Sequence, residues 1–397
     1  MRYQILDGFR GFFLIFMLVA HANEVLQAIL GKLNHHSFGW VEDAQGFVFI
    51  SGLVVGLVYG GRLERFGAPA MVRAVVKRCR EIYLYHAVVI LLFLAAALTF
   101  AAHAPALRLY STEPVVFTLA SLGLVTASMD MGILPMYLYF MAVTPAVLLA
   151  FKRGAAPAVG ALSVGFWMLA QTGLLRLAER SAEQGLMTMG LNLHLALYFN
   201  LFGWQVLYFF GLYLGYRLTR GELDLTFLKA AGYRWAFYVC VVIAVGLGVF
   251  DRIVFDQWIA SPVIKAFESE TLRKEFSALY LIAFAVDLYI AVWLLAVGVE
   301  AAQPALRGVA RFVRWIFTRR PLVFLGQHSL QVFAFHMVVV YAIHIAFETG
   351  PPGPLVGNGL LILGVISLYV PAWLHAKWQA MRAIKSSPGT PSPRVEG

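Results

Sequence analysis

What most restricts this chain of 397 residues is a series of apolar runs, most of them 18 residues or longer, with few charges inside them. A helix of that length crosses a hydrocarbon core of about 30 Å. No segment alternates polar with apolar residues over strand lengths, which excludes an outer-membrane barrel. Charged residues make up 13% of the chain and the mean hydropathy is +0.76, whereas about a quarter of a soluble domain is charged. The reading is an all-α polytopic protein of the lipid bilayer. It predicts about ten spans, near 9–29, 43–61, 81–101, 133–151, 156–176, 199–217, 235–253, 278–299, 322–346 and 358–376. Residues 1–380 are read as one membrane domain and 381–397 as a disordered tail ending in SSPGTPSPRVEG. The first run lacks a small-x-small exit and is read as a retained span. The short segment 115–125 is expected to be re-entrant or interfacial.

The net charge of +10 does not point to nucleic acid, because it is confined to alternate connections. Segments 62–80, 152–153, 217–234, 307–320 and the tail are rich in Lys and Arg, and the intervening ones are poor or balanced. By the positive-inside rule both termini are cytoplasmic. Two cysteines, Cys79 and Cys240, are too few for a disulfide framework or a zinc site, and no metal is expected.

Ionisable side chains inside a bilayer are costly, by about 2.5–3.5 kcal/mol on insertion scales, so each is a functional candidate. The first span holds three, Arg10, His21 and Glu24. Eleven residues of helix rise about 16.5 Å and complete almost three turns, so Arg10 and His21 share one face. Arg10 would grip a phosphate or carboxylate near the inner surface, and His21 would act as base or nucleophile past the midplane. The bland alternatives are a snorkelling arginine, a local pair with Asp7, and a histidine serving interhelical packing. Arg78, Arg80 and His86 open the third span as either a basic anchor or a polyanion site. Asp287 is a lone carboxylate near the middle of the eighth span, structural or catalytic. His328, His336 and His344 recur every eight residues in the ninth span, drifting about 80° each time, which argues against a metal site. His336 falls at roughly the depth of His21, while His344 is assigned to a headgroup or water contact. His35 and His36 are read as solvated, and His103, His194 and His375 as structural.

The spacing from Arg10 to His21 resembles the basic-x10-His motif of the acyltransferase-3 membrane acyltransferases. The stretches LDGFRGF (6–12), EDAQGFVFISGLVVGLVYG (42–60), KRCREIYLYH (77–86), ILPMYLYF (133–140), YFNLFGWQVLYFFGLYLG (198–215) and LGQHSLQVFAFH (325–336) together resemble the OpgC branch. That resemblance implies transfer of succinyl groups from cytosolic succinyl-CoA, or another acyl-CoA, to osmoregulated periplasmic glucans, in a bacterial inner membrane and with no permanently bound cofactor. It implies that Arg10, Arg78, Arg80 and His86 meet the acyl-CoA, and that His21 is the essential histidine. Ser51 matches a Ser-Gly of the second span and His336 a histidine of the ninth. Where an acidic residue is expected before the histidine, this chain has Ala20. Glu24 and Asp287 are the candidate orienting carboxylates. The extracytoplasmic extension of some relatives is not seen in the sequence.

Two other readings compete. One is O-acetylation of a different envelope polysaccharide. The other, of a different class, is a transporter or flippase using Arg10, His21 and Asp287 as a proton relay, though the repeats and broken helices such a protein would show are not evident.

Overall fold

The computed structural model describes residues 4–386, apart from 35–38, 101–106, 128, 192, 194, 196 and 260. The expectations for His35, His36, His103, His194 and residues 387–397 concern positions outside that set. The chain runs through α1 (Gln4–Leu26), α2 (Asp43–Val55), α3 (Gly61–Phe100), α4 (Arg108–Thr112), α5 (Pro114–Leu122) and α6 (Ile133–Lys152). It continues with α7 (Ala156–Gln171), α8 (Leu174–Thr188), α9 (Leu201–Thr219), α10 (Ala231–Phe255), α11 (Pro262–Lys265) and α12 (Glu270–Lys274). The last part is α13 (Ala278–Ala296), α14 (Pro304–Phe317), α15 (Arg320–Gln327), α16 (Ser329–Ala346), α17 (Pro354–Ser367) and α18 (Tyr369–Ser386). The segment expected to be a tail from 381 onward is therefore helical as far as Ser386.

Among the described residues, seven helical stretches are long and apolar enough to cross a membrane, or eight if α7 and α8, bent by 60°, form one span. Ten were expected. The second and third expected spans form one stretch, Asp43–Thr99, joined through a π-helical turn at Gly56–Gly60. The basic segment 62–80 is thus helix, bent where Gly67 takes a φ of 78° two residues before Pro69. The sixth expected span, α9, is not among the seven; its apolar residues are diluted by Gln205, Tyr208, Tyr213 and Tyr216.

The basic connections gather at one end of the molecule. Lys152 Nζ lies 3.1 Å from Glu64, the Tyr216 hydroxyl donates to the same carboxylate at 2.7 Å, and Phe9 stacks on Phe317 with centroids 3.7 Å apart. Away from the ends, Val242, Leu363 and Leu98 stand more than half exposed, as an apolar perimeter facing lipid would.

Helix α1 is the hub of the bundle, in contact with α2, α14, α15, α16 and α17. Its crossings with α14 and α15 bring backbones together. A Cβ built at Gly8, Gly11 or Gly326 would fall on the carbonyl of Phe317, Leu322 or Asp7 respectively. The glycines of LDGFRGF therefore permit an approach that any side chain would prevent, as small residues do where transmembrane helices cross. The α2–α9 crossing repeats the device, with Gly52 against the Tyr208 carbonyl and Gly215 against that of Leu53.

The segment expected to be re-entrant folds back along α3. Tyr83 donates its hydroxyl to the Leu122 carbonyl at 3.1 Å, and Tyr139 donates to that of Leu124 at 3.2 Å. The C-terminal end of α5 thus lies between α3 and α6. Its last carbonyls have lost helical partners, and side chains replace them.

Candidate active site

On α1, positions 17, 20, 21 and 24 follow the helical period and line one cavity of about 340 Å³ with Met17, Ala20, His21 and Glu24. Facing them are Asp43 at the start of α2, Ile133 of α6, Phe333 of α16, Tyr198, and Arg273 of α12. His21 and Glu24 do share a cavity. Asp287 is not among its lining residues; it is half-buried on α13, whose neighbours include α10 and α14.

His336 is fully buried and stands behind His21, with ring centroids 5.7 Å apart and planes tilted by 30°. Their equal depth, inferred from helical rise, is therefore an adjacency in space. His336 Nδ1 donates to the Phe333 carbonyl at 2.7 Å, which fixes the tautomer and leaves a lone pair on Nε2 of the neutral ring. His344 was assigned to headgroups or water. Instead its Nε2 donates to the backbone carbonyl of His21 at 3.3 Å, tying α1 to α16 at the level of the site.

The cavity wall opposite α1 is built by an ion pair. Arg273 Nε lies 2.8 Å from Glu42, and the guanidinium sits 5.3 Å from the Tyr198 ring centroid. Desolvation works against the charge on Arg273, but Glu42 and Tyr198 outweigh it and hold the pKa above the ordinary arginine value. Glu42 also begins α2, its N–H donating to Gln45 Oε1 at 3.2 Å, the reciprocal half of a capping box. Arg273 is placed by a clamp on α12. The Trp204 indole donates to the carbonyls of Arg273 and Lys274, both at 3.2 Å, and the Trp167 indole donates to that of Phe276 at 2.9 Å. Phe276, fully buried, closes the turn with a φ of 52°, a left-handed conformation uncommon for a bulky residue.

Toward the basic end lies a second, narrow slot of about 30 Å³. Arg10, Arg78, Ser51, Ser329 and Tyr137 line it, and it shares Ile133 and Phe333 with the His21 cavity. Arg10 Nη2 donates to Ser329 Oγ, and its guanidinium lies 5.8 Å from the Phe47 ring centroid. Arg78 is 3.3 Å from Glu81. Of the four residues expected to meet the acyl-CoA, the structure brings Arg10 and Arg78 together. Arg80 is exposed and His86 is fully buried, neither lining the slot. His86 Nε2 donates to the Ser121 carbonyl at 2.9 Å, capping the end of α5. His328 and His375 meet through their Nδ1 atoms at 2.8 Å, on the α16–α18 side.

Sequence reasoning passed over Glu42, Asp43, Tyr198, Arg273 and His344 as site residues. The first two carried a signal: an acidic pair directly before an apolar run, with Gln45 at capping-box spacing. Arg273 had none, because its position depends on two distant indoles.

A family profile described as OpgC protein matches residues 2–380. No curated protein and no solved structure matches the chain.

Proposed function

The chain belongs to the OpgC family, and on that premise we propose that it moves a succinyl group from cytosolic succinyl-CoA to hydroxyls of osmoregulated periplasmic glucans. Family membership implies the coarser activity, modification of glucan by acyl transfer, and seven or eight apolar helices suit a multi-pass membrane enzyme. The observation that carries the finer reading is the pair of compartments strung along one face of α1: a basic slot at Arg10 and a cavity at His21, with Ile133 and Phe333 in the wall of both.

In this reading the basic end faces the cytosol. Acyl-CoA presents its phosphates there, and its flexible arm, on the order of 15–20 Å, matches the helical rise of about 16.5 Å from Arg10 to His21. At about 30 Å³ the slot admits neither the phosphates nor the arm as it stands, so in this reading donor binding widens it between Arg10 and Arg78 on one side and Ile133 and Phe333 on the other. His21 takes the proton from an acceptor hydroxyl as its oxygen attacks the thioester carbonyl. The carbon–sulfur bond breaks, and the CoA sulfur leaves as thiolate and is protonated. His336 does not line the cavity, so it acts through His21 as a positioning residue. Its Nε2 lone pair can hold or relay the proton that His21 acquires, which suits it poorly as a donor to an oxyanion. Glu24, one turn from His21 in the same cavity, is the carboxylate favoured to orient it.

Glucans extracted from cells expressing wild type or His21→Ala test the assignment by mass and charge. Anionic succinyl substituents are expected on the first and not on the second. Persistence of the substituent in the variant would refute the role of His21, whereas acetyl in place of succinyl in wild type would change only the donor.

A further inference from the structure

Two more polar cavities adjoin the His21 cavity, each sharing wall residues with it and none with the other. The first, of about 380 Å³, lies beyond the Glu42–Arg273 ion pair, both members of which line it, and it adds Asp251, Glu268 and Tyr280. The second, of about 350 Å³, lies beyond Tyr198, which borders both, and it adds Arg176, Glu179 and Arg180. We infer that the three cavities are subsites of one groove that binds the acceptor as an extended polyhydroxylated chain, with an internal sugar at His21 and further sugars on both sides.

Contiguity is the first argument. An enzyme that modifies a chain end needs a pocket closed on one side, but here the candidate base sits in the central cavity of three. Each cavity has about the volume at which small-ligand pockets begin, so a single sugar fills one and leaves two unused. The second argument is wall chemistry. Both flanking cavities mix carboxylates with guanidinium groups, and a sugar hydroxyl, at once donor and acceptor, is served by both. The third is preorganisation. The ridges between subsites are fixed before any ligand arrives, Tyr198 by Arg273 at 5.3 Å and Lys274 at 5.0 Å, and Arg273 by Glu42 and by the Trp204 indole on its carbonyl, with the Trp167 indole holding Phe276 just beyond α12. Asn200 extends the clamp, its N–H donating to the Lys274 carbonyl at 2.9 Å and its side chain to Glu275. A rigid groove loses little on binding a long ligand.

This inference rests on acyl transfer at His21, and it adds a length dependence. Contacts remote from the reacting hydroxyl are available to drive the reaction, so kcat/KM should climb with acceptor length until the groove is full and then level off. A gain on the order of tenfold per flanking subsite corresponds to about 1.4 kcal/mol. The experiment uses the full chain in proteoliposomes with succinyl-CoA and gluco-oligosaccharides from one to about eight hexoses, and mass spectrometry locates the acyl group. The expected result is a rise of roughly a hundredfold from the shortest to the plateau acceptor, with the acyl group on internal residues. Arg180→Gln combined with Glu179→Gln should flatten the curve for long acceptors. Equal kcat/KM at all lengths, or acylation confined to a chain end, would overturn the groove while leaving acyl transfer intact. Transfer to no acceptor of any length would overturn the reading of His21 as well.

Discussion

Replacing Gly11 by alanine separates the packing of α1 from its chemistry. A Cβ at this position would stand 2.0 Å from the Leu322 carbonyl oxygen, against a practical minimum of 3.0 Å, and the obstacle is backbone with no side chain to swing away. The α1 and α15 helices must therefore part by about 1 Å. Overpacking of this kind costs about 1–3 kcal/mol, which a folded membrane protein tolerates in part. The consequence for turnover is larger. Arg10 and His21 ride on α1, while Ser329 and His336 ride on α16 directly after α15, so the separation pulls both pairs apart. A misplacement of about 1 Å at a reacting centre costs on the order of a hundredfold in rate. Succinyl incorporation into a glucan acceptor, compared with thermal unfolding of the same purified sample, distinguishes the two effects. Gly160→Ala is the control, because a Cβ there meets nothing within 4 Å. The reasoning is refuted if Gly11→Ala turns over within twofold of wild type while Gly160→Ala is equally stable.

Other outcomes follow from the same geometry. His336→Phe keeps a ring of similar size in the buried space and should lower kcat by about 10²–10⁴-fold with a small change in KM; steady-state kinetics would contradict the assignment if kcat stayed within twofold. Trp204→Phe leaves two carbonyls of α12 without the indole donor and should cost about 1–3 kcal/mol, seen as a lower unfolding temperature and a raised acceptor KM. Burial raises the Glu275 carboxyl above its ordinary pKa, against the lowering effects of Arg176 and Asn200. The folded protein therefore holds that proton more tightly than the unfolded chain, so this group's contribution to stability is present at low pH and is lost as pH rises through its folded pKa. Glu275→Gln should remove a fall in stability as pH rises through that folded pKa, leaving the stability–pH curve rising more steeply from the acid side, and an unchanged curve would count against it.

The helical class and the α1 face were legible because they depend on local periodicity: 17, 20, 21 and 24 reach one cavity whatever surrounds them. The depth match between His21 and His336 was also legible, since rise along a helix is a fixed ruler. Azimuth is not written in the same way. Arg78, Arg80 and His86 read alike as a basic entrance, yet helical rotation and the folding back of α5 send them to a slot, an exposed surface and a buried carbonyl. Asp287 could be placed in depth but not against its neighbours, and it does not line the His21 cavity. The structure yields seven or eight stretches where ten spans were expected, in part because 43–99 is one continuous helix, and nothing in a hydropathy profile reveals the π-helical turn that joins its halves. Arg273 lay beyond reach altogether, held by tryptophans on other helices.

The wall formed by Ile133 and Phe333 has a consequence for the cell as well as for the reaction. An enzyme with a polar chamber toward each side of a bilayer risks becoming a leak for protons and ions. Here the two chambers meet at apolar side chains, and the slot on one side, at about 30 Å³, has room for about one water molecule. Under the proposed reading that constriction is what keeps an acyltransferase opening toward both faces of a bilayer from becoming a conduit across it.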